Sequence, residues 1–167
     1  MRKKFVILTF FALLIGSSLF AQTQIIVGDA DCERKIDEVI AAAESKLGCK
    51  YVWAANGPEE FDCSGFAQYV FAQAGIELTR STETQCKEGR EILLTNIKRG
   101  DLVFFVYERD SVLRIAHVGI AISDYKDGDF EFIHATDSKP CGGVCYSQFS
   151  SYEYHYGGAR RIIECGE

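Results

Sequence analysis

The chain has 167 residues, 47% of them hydrophobic and 25% charged, with 24 acidic side chains against 18 basic ones and a formal net charge of −6. That length suits one domain of the common size, roughly 100–150 residues. The acidic balance argues against nucleic acid as a partner, because such binding rests on Lys and Arg neutralising phosphates.

Arg2, Lys3 and Lys4 form a basic start, Phe5 to Leu14 an almost unbroken apolar run, and Leu19-Phe20-Ala21 ends on a small residue ahead of Gln22-Thr23-Gln24. This is the pattern of a secretory signal cut after Ala21. Gly16-Ser17-Ser18 interrupts the run short of the roughly 20 apolar residues a spanning helix needs. Residues 1–21 are therefore expected to be removed as a signal peptide, and 22–167 to form a single exported domain, periplasmic or released, with no membrane attachment. Cys32 follows Asp31 rather than a small residue, which argues against a lipid anchor. Removal of the basic start takes the net charge to about −9.

Seven cysteines, at positions 32, 49, 63, 86, 141, 145 and 165, leave at least one thiol unpaired. Export makes disulfides the natural reading of the others. Cys141 and Cys145 could instead be half of a zinc site, but no second close Cys or His pair accompanies them.

Helical periodicity runs from Glu38 to Lys46 and again from Ser64 to Ala74, where Phe66, Ala67, Val70, Phe71 and Ala74 recur at three and four positions before Gly75 stops the helix. Cys63, in "FDCSGF", thus sits at the start of a helix, where free N–H groups and the helix dipole favour an anion. A thiol there is expected to have its pKa lowered, into a range of about 3.5–7.5, and the same N–H groups can receive a developing oxyanion.

Strand-like runs follow at Leu102–Tyr107, His117–Ile122, Phe130–Ala135 and Tyr156–Ile163, so helices precede strands as in an α+β fold. Gly100-Asp101 reads as a turn. The polar segment from Ser123 to Asp129 reads as the turn of an antiparallel hairpin. Pairing Ala121 with Phe130 then sets His117 directly opposite His134. A lone strand histidine is ordinarily a satisfied core residue. Two on one face, in a chain with an odd cysteine at a helix start, are what cysteine catalysis asks for: one imidazole takes the thiol proton and a second polar group orients it. His155, in "YEYHY", has no such partner by spacing.

These residues occur within "YVWAANGPEEFDCSGFAQYVFAQAGIELTRSTETQ", "KRGDLVFF", "AHVGIAI", "FIHAT" and "GGARRII", which in this order resemble the NlpC/P60 family of papain-like cysteine peptidases from about Ile36 to Ile163. The resemblance implies N-terminal helices, including Cys32–Leu47, packed on an antiparallel sheet or half-open barrel. It implies Cys63 as nucleophile, His117 as base, His134 as the orienting residue and Tyr51 near the oxyanion, with Asp62, Ser64, Arg80 and Ser81 contacting substrate. The substrate would be peptidoglycan peptides, cut between γ-linked D-glutamate and a diamino acid such as meso-diaminopimelate by a monomer that needs no metal or cofactor. Plainer roles stand beside these: Asp62 as a helix cap, Tyr51 as a core aromatic, Arg80 paired with a surface carboxylate. The same triad would also serve an N-acetylmuramoyl-L-alanine amidase or an acyltransferase. A silent wall-binding module and a toxin are further readings. Ala54-Ala55 stand where the family has a glycine pair, and Glu108–Ile115 is expected as a loop covering the cleft.

Overall fold

The computed structural model describes residues 29–166, so the expected signal segment, 1–21, lies outside the described residues. Helix α1, Asp29–Glu44, begins three residues before the expected Cys32 and buries Cys32, Ile36, Val39, Ile40 and Ala43, the stripe an amphipathic helix presents to a core. Strands β1 (Lys50–Tyr51) and β2 (Glu60–Phe61) form a short parallel pair ahead of helix α2, Cys63–Gln73. Gly75, at φ 73°, ends α2 as sequence spacing requires. A short helix α3, Thr82–Gln85, leads into the sheet.

Six strands follow: β3 (Arg90–Ile92), β4 (Leu102–Arg109), β5 (Val112–Ala121), β6 (Glu131–Ala135), β7 (Val144–Gln148) and β8 (Tyr156–Arg161). They pair antiparallel throughout in the order β3-β8-β4-β5-β6-β7, with β3 and β7 at the edges and the start of β7 bonded to the backbone of Gly48 and Cys49. Both faces are covered. Leu102, Phe104, Val118, Ile120 and Ile133 pack under α1 and α2, while the alternating Val103, Phe105, Ala121 and Phe132 meet Phe130 and Phe149 on the other side. The Gly100-Asp101 turn has a structural use: the Asp101 carboxylate, almost wholly buried, accepts from Arg161 Nε at 2.8 Å and Nη2 at 2.7 Å, joining the start of β4 to β8.

Two expectations change. Glu108–Ile115 is no loop, because β4 and β5 continue to a two-residue turn in which Asp110 (φ 54°) and Ser111 (φ 59°) both take the left-handed region that such hairpin turns need. The β5–β6 ladder pairs Ala121 with Phe132, not Phe130, a slip of two residues. The cause lies in the turn. Lys126 and Asp129 bridge to close a smaller turn, and Phe130 leaves the ladder, its N–H held by its neighbour Asp129 and its ring stacked on Phe149 at 4.8 Å. A slip of two preserves the face each side chain points to, so His117 and His134 remain together, diagonally rather than directly opposed.

The sulfurs of Cys32 and Cys165 and those of Cys141 and Cys145 lie at disulfide distance, and Cys49, Cys63 and Cys86 are free. Three thiols are thus left over, within the expectation of at least one. The first bridge spans 133 residues and ties α1 to the tail after β8. Closing so long a loop constrains the unfolded chain, so replacing Cys32 and Cys165 by serine is expected to cost about 2–5 kcal/mol in denaturant titrations of the oxidised protein, and clearly less under reducing conditions, where only the exchange of the buried Cys32 thiol for a hydroxyl remains.

Candidate active site

The site is built on the first turn of α2. A Cβ on Gly65 would lie 2.3 Å from the Ala55 carbonyl oxygen, so only glycine lets this turn seat against the loop before β2. The same carbonyl accepts from Asp62 N at 2.9 Å and Arg80 Nη2 at 3.2 Å. Asp62 does cap the helix, its Oδ1 accepting from Gly65 N at 2.7 Å. It is also clamped by Arg80, with Nη1 donating to Oδ1 at 2.9 Å and Nη2 to Oδ2 at 2.6 Å, the two-pronged geometry that suits a guanidinium and a carboxylate. Ser64 Oγ donates to Asp62 Oδ1 at 3.2 Å and accepts from Arg80 Nη1 at 2.9 Å.

Asp62, Ser64 and Arg80 are therefore brought together, and they bind one another. Arg80 pairs with a buried carboxylate, where a surface one was the plainer expectation. Ser81 is not brought in: its side chain is exposed and shares a hydrogen bond with Thr84 Oγ1 at 2.9 Å. Sequence reading passed over Gln85, fully buried, whose Nε2 donates to the Ser64 carbonyl at 3.0 Å and to the Thr79 carbonyl at 2.7 Å, fixing the Arg80 turn to α2.

Cys63 Sγ lies 4.0 Å from the Ala116 carbonyl oxygen. Ala116 is the extra residue of a β-bulge, since Phe105 pairs with His117 while Val106 pairs with Ile115. Bulges bend a strand and re-aim its side chains, and this one immediately precedes His117. The thiol pKa is the reverse of the expectation. Burial, with a smaller contribution from Asp62, pushes it up to about 11, although the amides of Val118, Ser64 and Cys63 pull the other way. The helix start does favour the thiolate; desolvation outweighs it.

His117 Nε2 and His134 Nδ1 are 2.6 Å apart, and His134 Nε2 lies 3.0 Å from Ser147 Oγ. Gly119 makes room beside them, because a Cβ there would sit 2.5 Å from the Phe132 ring. Burial lowers the His117 pKa to about 4, and burial together with His117 lowers that of His134 to about 3. At neutral pH the site thus holds a neutral thiol and two neutral imidazoles. With Nε2 of His117 engaged, Nδ1 is the ring nitrogen left to take a proton.

Tyr51 is half-buried, and burial with the nearby Cys63 raises its phenol to about 12, so it stays a donor. Its backbone N–H donates to Gly142 O at 3.2 Å, which lays the loop after β6 alongside β1. Asp137 on that loop is exposed, and its charge acts on Tyr51, Tyr107 and His117 alike. His155 stands apart, stacked on Tyr107 at 4.5 Å. Among the described residues no group of three or more His, Cys, Asp or Glu could hold a metal ion, and no helix is long and apolar enough to cross a membrane.

The sequence pattern of the NlpC/P60 family matches residues 48–161, a span holding every residue described in this site. The probable endopeptidase p60 of Listeria seeligeri is 43% identical over 100 residues, covering 60% of this chain and 17% of its own length. The gamma-DL-glutamyl hydrolase of Bacillus subtilis (strain 168) is 33% identical over 161 residues, 96% of this chain and 37% of its own. The chain thus spans well under half the length of these two relatives. The crystal structure of a protein similar to a lipoprotein, of the NLP/P60 family, from Staphylococcus aureus subsp. aureus Mu50 superimposes with a TM-score of 0.66 at 31% identity, over 79% of this chain and 42% of that one. The α2 turn, the paired histidines and the antiparallel sheet are arranged on a shared framework, and the chain belongs to the NlpC/P60 family.

Proposed function

We propose that this chain is an exported cysteine peptidase that hydrolyses peptidoglycan stem peptides, at the bond between γ-D-glutamate and a diamino acid. The observation that carries the reading is Cys63 at the start of α2, lying against the β5 backbone beside His117, whose other ring nitrogen is held by His134. The relatives named as an endopeptidase and a gamma-glutamyl hydrolase support the reaction class. Two cysteine pairs at disulfide distance support export.

In this reading the thiol is neutral at rest and loses its proton as it attacks. The Cys63 S–H proton passes to His117 Nδ1 while sulfur bonds to the scissile carbonyl carbon, and the carbonyl electron pair moves to oxygen. The N–H groups of Cys63 and Ser64, which have no partner within the helix, and the Tyr51 hydroxyl are the donors available to that oxyanion. Collapse breaks the C–N bond, and the amine leaves with the proton from His117. Water then attacks the thioester, His117 takes the proton, and the free carboxylate and the thiol are released.

Asp137 supplies a reason for an amine-bearing substrate. Asp62 is neutralised by Arg80, whereas Asp137 has no ion pair among the described residues, so it is the carboxylate at this site left to attract an ammonium group.

Digestion of purified muropeptides, with products read by mass, tests the reading. Wild type is expected to cut after γ-D-glutamate and Cys63→Ala to leave substrate intact; release of muramyl-linked L-alanine would show an amidase, amine adducts would show a transferase, and activity in Cys63→Ala would sink the proposal. Alkylation of Cys63 by iodoacetamide, located by peptide mapping, is expected to be slow at neutral pH and to rise about tenfold per pH unit on the alkaline side until it levels near the thiol pKa. A rate already flat from pH 5 to 9 would mean a resting thiolate–imidazolium pair. Asp137→Asn is expected to raise KM about two- to fivefold with kcat little changed, the size of losing one partly screened charge pair, and to have no effect on substrates whose free amines are acetylated.

A further inference from the structure

The histidine pair transfers a proton usefully in only one of its two protonation patterns. Each neutral imidazole carries one N–H, and the 2.6 Å contact between His117 Nε2 and His134 Nδ1 needs one donor and one acceptor. If His134 Nδ1 carries the hydrogen, the proton of His117 sits on Nδ1, and the nitrogen meant to receive the thiol proton is already occupied. If His117 Nε2 carries it, His117 Nδ1 is bare and competent, and the proton of His134 must lie on Nε2. Whatever surrounds His134 Nε2 therefore decides whether His117 is a base.

Among the described residues two polar groups lie within hydrogen-bond reach of it, both on β7, which runs beside β6. Ser147 Oγ is 3.0 Å away and Cys145 Sγ 3.9 Å. In the ladder Cys145 lies opposite His134 and Ser147 opposite Phe132, so the serine reaches the ring diagonally along one face. A hydroxyl can donate or accept. The Cys145 sulfur, at disulfide distance from Cys141, has no S–H in the bonded form and can only accept. The surroundings of Nε2 thus favour a hydrogen on that nitrogen.

We propose that Ser147, with the bonded Cys145 sulfur beside it, is a positioning residue that accepts from His134 Nε2–H and so keeps His117 Nδ1 unprotonated, making the site a four-member series Cys63, His117, His134, Ser147. This rests on the reading of Cys63 and His117 as nucleophile and base. When His117 takes the thiol proton, its cation is met by the bare Nδ1 of His134, and the orientation of that ring is kept by the serine. Among the described residues no carboxylate is hydrogen-bonded to the pair.

Nitrogen spectra of the whole chain labelled with 15N-histidine read the tautomers without any substrate. The expected result is His134 protonated at Nε2 and bare at Nδ1, with His117 protonated at Nε2; His134 found protonated at Nδ1 would overturn the proposal. Threonine and valine at position 147 differ by little more than the hydroxyl, so comparing them separates hydrogen bonding from packing. Ser147→Thr is expected to keep kcat within about threefold and Ser147→Val to lose about tenfold or more with KM nearly unchanged, the scale for removing a group that orients a reacting imidazole. Equal kcat in the two variants would overturn it. A chain that cuts no stem peptide at all would defeat the peptidase reading, and the tautomers would still be decided by the spectra and by the alkylation rate of Cys63 in the Thr and Val variants.

Discussion

The first turn of α2 presses on the Ala55 carbonyl closely enough that a methyl group on residue 65 would collide with it. That seating does more than place one helix. The same oxygen receives the N–H of Asp62 and a guanidinium N–H of Arg80, so the helix start, its cap and the arginine meet on a single acceptor. Around it the polar groups close into a set: Asp62 caps the helix and binds Arg80, Arg80 and Asp62 share Ser64, and Gln85 ties the Ser64 carbonyl to the Thr79 turn. Buried polar groups are tolerable when they find partners; in this set Gln85 Oε1 is the buried side-chain atom without one among the described residues, and the partners the others find also fix how Cys63 meets β5.

Two opposed effects bear on Cys63, and their sizes matter more than their presence. A helix N-terminus stabilises a thiolate over about one turn, while burial penalises it wherever water is excluded. With the sulfur between α2 and β5, burial prevails. The histidines obey the same rule with the opposite charge, both held neutral by the same lack of solvent. Cys63, His117 and His134 thus carry no charge at rest, and charge develops on them only when a substrate carbonyl is present to receive it.

Much of this was legible in the residues. The helix from Cys63, the strands and the shared face of His117 and His134 follow from periods of 3.6 and 2, which tolerate small errors: a two-residue slip in the β5–β6 ladder left the histidines together because side-chain direction repeats every two residues. What could not be read depends on contacts distant in sequence or on competing magnitudes. Phe130 leaves its strand to stack on Phe149, which no local pattern announces. Arg80 turns inward because Asp62, eighteen positions earlier, waits for both its prongs. Ser147 gives no signal of its own in "VCYSQ"; only the β6–β7 register brings it to His134. The strand run at Glu108–Ile115 looked like a loop because its charges hid a turn of two residues at positive φ.

The tie between Cys32 and Cys165 has a topological meaning as well as a thermodynamic one. It joins the two ends of the described domain, so the chain between two cysteines 133 positions apart closes into a covalent ring. A single backbone cut anywhere inside that ring, at the exposed β4–β5 turn for instance, severs the chain without producing two molecules. The pieces carrying Cys63 and His117 would stay within reach of each other, and a nicked chain would remain one particle.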